Sequence, residues 1–365
     1  MTKQYSLGFI SHSQFEKEMR SPIWWEHLTT EKQNHPLIKE YIFEQEFGSH
    51  TFLESADTHL IGLGCKVLDR ISLLNLSDIV VSLKPKDEWE YMRPGSTLIG
   101  WFNHLPLSPK NLTNITNIKF LDLEYLNTHA EGRQQKILYR NAYVAGECGV
   151  AQTLAELQKL DPSSPAIAQS GRLAVVLGYG NMGRGATAEL LSQGVERVVV
   201  FTQRQPIVVE DKLAGVEYRQ MEYSLGNTYE LFSEGSKQPL IDGILAEADI
   251  IVNTTIPSQI QEKWIFVPEN SFHQLKANMA FIDPVHKCGH GADFTHVTEL
   301  EEPVKLIRKA NHSIWYNGCN AMPSYRPAYA SYTISQGLLD HLDSLLEAVA
   351  GDRKVFSMSK SVVSD

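Results

Sequence analysis

The sequence predicts an α/β protein: two Rossmann-like domains with parallel sheets, a cleft between them, and a C-terminal helix that returns to the first domain. Three observations carry this expectation. Short, continuous apolar runs recur along the chain, as strands buried on both faces of a parallel sheet require. Segments of helical periodicity alternate with them, the pattern of βαβ units. A glycine fingerprint stands in the middle, RLAVVLGYGNMGRGA over residues 172–186, rather than at the start.

Length and composition agree with a two-domain soluble enzyme. The chain has 365 residues, is 42% apolar and carries a formal charge of −10, enough apolar content for large cores. Charges of both signs are interspersed without a basic block, so nucleic-acid binding has no electrostatic footprint. No signal peptide and no apolar run of membrane-spanning length is visible, so a cytoplasmic protein with no membrane partner is expected. Cys65, Cys148, Cys288 and Cys319 lack paired spacing and read as free thiols. Sequons at Asn111 and Asn114 carry no weight without secretion.

In order, the chain reads as a strand over 5–10, then a polar segment that carries Arg20 and turns aromatic at Trp24 and Trp25, where Pro22 can start a helix with Leu28 on its buried face. A strand over 41–46, a helix over 57–63 and a short strand at Val67 and Leu68 follow. Strands over 79–83 and 96–101 flank a Pro94–Gly95 turn, and each leads to a candidate functional side chain, Lys84 and His104. Ligands of open α/β sheets bind at the carboxyl ends of strands, where both residues fall. Taken singly, Lys84 is equally readable as a solvated loop lysine and His104 as a structural histidine. A strand over 120–123 and a long helix over 141–159, crossing between domains, complete the first half.

The fingerprint follows a strand over 173–177. Gly178 permits a tight turn, Gly180 lets backbone approach a pyrophosphate, and Gly183 lets helix pack on strand, while the first turn at Asn181 and Met182 offers N–H groups to an anion. A second strand over 198–201 completes a βαβ unit of about 30 residues. It ends in Thr202, Gln203 and Arg204, with no Asp or Glu for the ribose hydroxyls. A guanidinium in that place suits a 2′-phosphate, which favours NADP(H) over NAD(H) as cofactor, the alternative being a solvated loop arginine. Next come a helix over 241–248, a strand over 249–253 ending in Thr254, Thr255 and Ile256, and a strand over 279–282 ending at Asp283, all candidates for cofactor contact. The segment after Trp315 predicts one long helix. The expected division is a substrate domain of residues 1–140 and 320–365 around a dinucleotide domain of residues 141–319. His286, Cys288, His290, Asp293 and His296 cluster in HKCGHGADFTH, but their spacing matches no standard zinc pattern, so a glycine-rich active-site loop is expected rather than a metal site.

These motifs resemble the family of alanine dehydrogenase, saccharopine dehydrogenase and carboxyethylornithine synthase. The likeness runs through the Arg20 loop, Lys84, GWFNH with His104, RNAYVAGECGV, the fingerprint and WYNGCNAMPSYRPAYASYTIS, and is nearest to the carboxyethylornithine synthase branch. The resemblance implies a carboxylate-binding role for Arg20 and catalytic roles for Lys84 and His104. Alanine dehydrogenases carry a second aspartate in a DxxxD segment beginning at the position of Asp283, and here that second position is Lys287. The paired tryptophans also depart from the family's usual N-terminal segment. The implied activity is an NADPH-dependent, opine-type reductive condensation of an amino acid with a 2-oxo acid such as pyruvate or 2-oxoglutarate. Alternatives are an amino-acid dehydrogenase using ammonia and a non-catalytic dinucleotide-binding protein. Partners are then small molecules, with homo-oligomer formation left open.

Overall fold

Each half of the chain builds its own sheet from short apolar strands. The computed structural model describes residues 4–14, 18–28, 35–102, 105, 109–130, 133–224, 227–255, 264–285 and 290–350. The chain divides into unit 1, residues 1–141 and 326–365, and unit 2, residues 142–325.

Unit 1 contains β1 (Tyr5–Phe9), β2 (Ile38–Glu44), α1 (Ser49–Phe52), α2 (Asp57–Gly62), β3 (Lys66–Leu68), α3 (Arg70–Leu76), β4 (Ile79–Val81), β5 (Thr97–Gly100), α4 (Pro109–Thr116) and β6 (Lys119–Asp122), then a hairpin of β7 (Asn127–Ala130) and β8 (Arg133–Lys136). Six strands pair in parallel in the order β3-β2-β1-β4-β5-β6. The order reverses between β1 and β4, the point at which open α/β sheets in general bind their ligands. Helix α3 is capped by Asp69, whose carboxylate accepts from Ser72 N at 3.0 Å. It sits close on β1 at Gly8, where a Cβ would stand 2.3 Å from Ser77 Oγ and 2.9 Å from Leu73 Cδ2. Where the aromatic segment predicts a helix after Pro22, there is one 3-10 turn, Trp25–His27.

Unit 2 opens with α5 (Tyr139–Leu160), which belongs to it from Ala142 onward, and continues through β9 (Leu173–Leu177), α6 (Asn181–Ser192), β10 (Arg197–Thr202), β11 (Val216–Ser224), β12 (Asn227–Leu231), β13 (Lys237–Pro239), α7 (Ile244–Glu247), β14 (Ile250–Asn253), β15 (Ile265–Val267), β16 (Ala280–Ile282), β17 (Gly291–Ala292), β18 (Val304–Lys309) and β19 (His312–Asn317). Its main sheet runs β13-β12-β11-β10-β9-β14-β16-β19-β18. The parallel part, β11-β10-β9-β14-β16-β19, repeats the doubly wound order of unit 1. The parallel core carries antiparallel additions at its edges: β12 and β13 fold back from β11, and β18 pairs back on β19. Antiparallel neighbours need only a short turn, so these strands are added without crossover helices. The helix expected over 241–248 is reduced to a 3-10 turn and the four-residue α7, interrupted at Gly243.

The chain then returns to unit 1 through α8 (Pro327–Asp340) and α9 (Leu342–Ala350). The single long terminal helix is thus broken twice. Pro327 takes the first helical position because it has no N–H to donate, and it holds Arg326 outside the helical region at φ −126° and ψ 67°; the second break is at His341, φ −116°. Ile334, Leu338, Leu339, Leu342, Leu345 and Leu346 bury against Leu7, Phe9, Ile79 and Val81 of the sheet. At about 1.5–3 kcal/mol per fully buried side chain, this contact anchors both helices firmly. Lys119 Nζ donates to the carbonyls of Ala348 and Val349, a cation at the carboxyl end of α9.

Candidate functional site

In unit 1 the loops after β1 and β4 meet around a carboxylate that the sequence does not single out. Glu18 is 1% exposed. Its Oε1 accepts from Arg20 Nε at 2.6 Å and from Arg20 N at 3.1 Å, its Oε2 accepts from Arg20 Nη2, and Lys84 Nζ stands 4.0 Å from Oε2. Arg20 Nη1 donates to Asn141 Oδ1 at 3.1 Å, and its guanidinium lies 5.2 Å from the Trp101 ring centroid. Burial pushes the Glu18 carboxyl up, but the charge and hydrogen bonds of Arg20, with the charge of Lys84 added, outweigh it and hold it at about 2. The bidentate partner of Arg20 in this structure is therefore Glu18, where the family resemblance implies a substrate carboxylate.

The loop that carries Lys84 is tied down by a second buried carboxylate. Glu88, fully buried, accepts at Oε1 from Arg70 Nη2 at 2.7 Å and Ser82 Oγ at 2.9 Å, and at Oε2 from Lys86 N at 2.6 Å and Asp87 N at 3.0 Å. These bonds fix residues 82–88, the loop that carries Lys84. Gly100 lets this loop lie on β5, since a Cβ there would stand 2.2 Å from Ser82 O. The ring of His12, on the loop after β1, lies 3.9 Å from that of His50, the two planes tilted by 41°. Burial, then the charges of His50 and Arg70, lower its pKa to about 4, so it is neutral at ordinary pH. His104 lies outside the described residues.

In unit 2 the three fingerprint glycines differ in the way a dinucleotide requires. Gly178 turns at φ +97°, and a Cβ on Gly183 would stand 2.1 Å from Gly178 O, so both glycines are obligatory for the turn itself. A Cβ on Gly180 would meet nothing within 4 Å. That open side at the start of α6, a helix of 12 residues, is a cradle that fits a pyrophosphate. Asn181 and Met182, half-buried, form the first turn. Thr202 is buried, its Oγ1 accepting from Arg204 N at 3.3 Å, while Gln203 and Arg204 are exposed. Arg204 Nη2 donates to Tyr179 O at 3.0 Å.

The other candidates turn inward. Thr254 Oγ1 donates to Leu177 O at 2.9 Å and Gly178 O at 3.1 Å, bracing the fingerprint turn from behind. Thr255 Oγ1 donates to Asn253 Oδ1 at 2.7 Å. Asp283 is fully buried and accepts from Asn253 Nδ2 at 3.2 Å, which ties the ends of β14 and β16 together. Ile256, His286 and Cys288 lie outside the described residues. His290 accepts at Nδ1 from Trp264 N at 3.2 Å and donates from Nε2 to Thr255 O at 3.0 Å, which engages both ring nitrogens. Asp293 accepts from Glu269 N, and the His296 ring packs at a tilt against Tyr316, centroids 5.0 Å apart. Among the described residues no group of three His, Cys, Asp or Glu is placed to hold a metal, and no helix is long and apolar enough to cross a membrane.

No protein-family model matches the chain, and no curated protein matches its sequence. Solved structures do match. An L-alanine dehydrogenase superposes with a TM-score of 0.73 over 95% of this chain and 92% of its own, at 17% identity. The fold is shared with L-alanine dehydrogenase. A transhydrogenase from Sinorhizobium meliloti gives a TM-score of 0.70 over 93% of each chain, at 16% identity. Both likenesses extend through the two doubly wound sheets, so the architecture read from the sequence is that of known proteins.

Proposed function

We propose that the protein is an NADPH-dependent oxidoreductase of the opine type, joining the amino group of an amino acid to a 2-oxo acid. One observation carries this reading: Arg20 and Lys84, with Glu18 between them, stand at the strand switch point of unit 1, in a chain whose other unit holds an open fingerprint turn. Supporting it, β10 ends without a carboxylate and with an exposed arginine.

The amine adds to the ketone, water leaves to give an imine, and hydride plus one proton yields the secondary amine. The dinucleotide supplies the hydride. Arg20 pairs with the carboxylate of the 2-oxo acid, which competes with Glu18 for the guanidinium fork. Lys84, beside Glu18, stabilises the alkoxide that develops on the former ketone oxygen, and His104 takes and returns protons during dehydration. Glu88 holds the Lys84 loop in place for these steps.

Reductive amination of one 2-oxo acid by ammonia is the second reading, favoured by the likeness to L-alanine dehydrogenase. NADPH oxidation followed by absorbance, with pyruvate or 2-oxoglutarate and either an amino acid or ammonia as amine donor, separates the two. Turnover that requires an amino acid supports the condensation. Turnover with ammonia alone replaces it by the second reading, and oxidation with neither donor across the common amino acids removes both.

A further inference from the structure

Tyr179, between Gly178 and Gly180, is 3% exposed, yet it touches two guanidinium groups. Arg204 donates from Nη2 to its carbonyl at 3.0 Å, and Arg184, in the opening turn of α6, lies over its ring with Cζ 5.3 Å from the centroid. The ring cannot swing away. Leu213 N donates to Tyr218 Oη at 2.8 Å, Tyr218 Oη to Tyr179 Oη at 2.8 Å, and Tyr179 Oη to Asp211 O at 2.9 Å, while the two rings pack edge to face at 5.0 Å. Burial, then the hydrogen bond from Tyr218, push the Tyr179 phenol upward, so it stays a donor.

Both guanidinium groups remain reachable from solvent. Arg204 is exposed, and the Arg184 side chain is 28% exposed. Arg184 Nη1 pairs with Asp211 Oδ2 at 2.9 Å, but that carboxylate is 73% exposed, so water and salt weaken the pair. A dianionic phosphate outcompetes such a carboxylate for a guanidinium, because it carries more charge and more acceptor oxygens. A ribose hydroxyl does not.

We propose that Arg184 and Arg204, spaced by the immobilised Tyr179, together recognise a 2′-phosphomonoester on the adenosine ribose, which makes Arg184 a second specificity-determining residue for the cofactor. The proposal rests on the NADPH reading and adds a residue to it. Asp211 is then the group that the phosphate displaces.

Calorimetry on the full chain with adenosine 2′,5′-bisphosphate and with AMP tests this, since the two probes differ only in the 2′-phosphate. The wild type should bind the bisphosphate more tightly, and Arg184→Gln and Arg204→Gln should each weaken that binding by about 10-fold or more, the scale of a lost hydrogen bond to a charged group, while AMP affinity and melting temperature stay near wild type. Asp211→Asn, which the positive φ of 54° at this position tolerates, should tighten bisphosphate binding by freeing Arg184. Equal wild-type affinity for the two probes would overturn the NADPH reading itself. A wild-type preference that Arg184→Gln leaves intact, or that Asp211→Asn weakens, would overturn the role of Arg184 alone.

Discussion

Replacing Glu18 by glutamine tests the central cluster of unit 1 as a physical object, independently of any substrate. The wild-type carboxyl falls from its usual 4.5 to about 2 on folding, which corresponds to about 3 kcal/mol of stability at neutral pH. Because the folded value lies below the unfolded one, that stability is present above about pH 4.5 and drains away as the pH falls toward 2. Glutamine keeps the shape and leaves the Arg20 and Lys84 charges buried without their counter-charge, a change that costs about 3–5 kcal/mol. Unit 1 carries four of the six tryptophans, Trp24, Trp25, Trp89 and Trp101, so urea unfolding followed by tryptophan fluorescence reports on it. The variant should be least stable relative to wild type at pH 7, and the gap should narrow steadily between pH 5 and pH 3. Arg20→Met in the Glu18→Gln background should recover part of the loss by removing one uncompensated charge. A variant within about 1 kcal/mol of wild type at pH 7, or one whose deficit does not change with pH, would refute the account of the cluster.

Lys84→Met and His104→Gln should leave NADPH binding nearly intact and lower single-turnover hydride transfer by roughly 100-fold or more; near-wild-type transfer in either folded variant would remove that residue from the mechanism. Gly180→Ala should fold normally and bind the dinucleotide poorly, because its Cβ projects into the open cradle, whereas Gly183→Ala should lose about 1–3 kcal/mol of stability from the clash with Gly178 O. Paired melts and titrations check both, and a reversal of the two phenotypes would show that the open side is not the binding side. Leu338→Ala, in the core shared by α8 and the first sheet, should cost about 2–5 kcal/mol in urea unfolding.

The sequence is most legible where backbone geometry leaves one residue type possible. Gly178 and Gly183 could be assigned roles because a turn at φ +97° and a helix pressed on a carbonyl exclude side chains. Fully buried strands such as β9 and β14 announce themselves by unbroken apolar runs. The β11–β13 extension does not: its residues are mostly half-buried, so no such run marks it. The terminal helix shows how a continuous apolar stripe hides breaks that Pro327 and His341 introduce. Within the site, Lys84 is legible as a cation at a strand end, and Arg20 through the family resemblance of its loop. Glu18 is not, because an acid in a polar segment looks solvated until the fold closes over it. Its position two residues before Arg20 is the one local hint. The inward hydrogen bonds of Thr254, Thr255 and Asp283 were equally beyond pattern reading, since the same residues at strand ends also suit ligand contact.

The crossing of α5 and α6 joins the fingerprint turn to a much longer element. A Cβ on Gly146 would stand 2.0 Å from Met182 O, and one on Gly185 would stand 2.0 Å from Tyr143 O, so the two helices touch backbone to backbone. Side chains absorb small displacements by changing rotamer, and none stands between these helices to do so. Met182 cannot move toward α5 without meeting the backbone at Gly146. The 22 residues of α5 are thereby pinned, near their amino-terminal end, to the opening turn of α6.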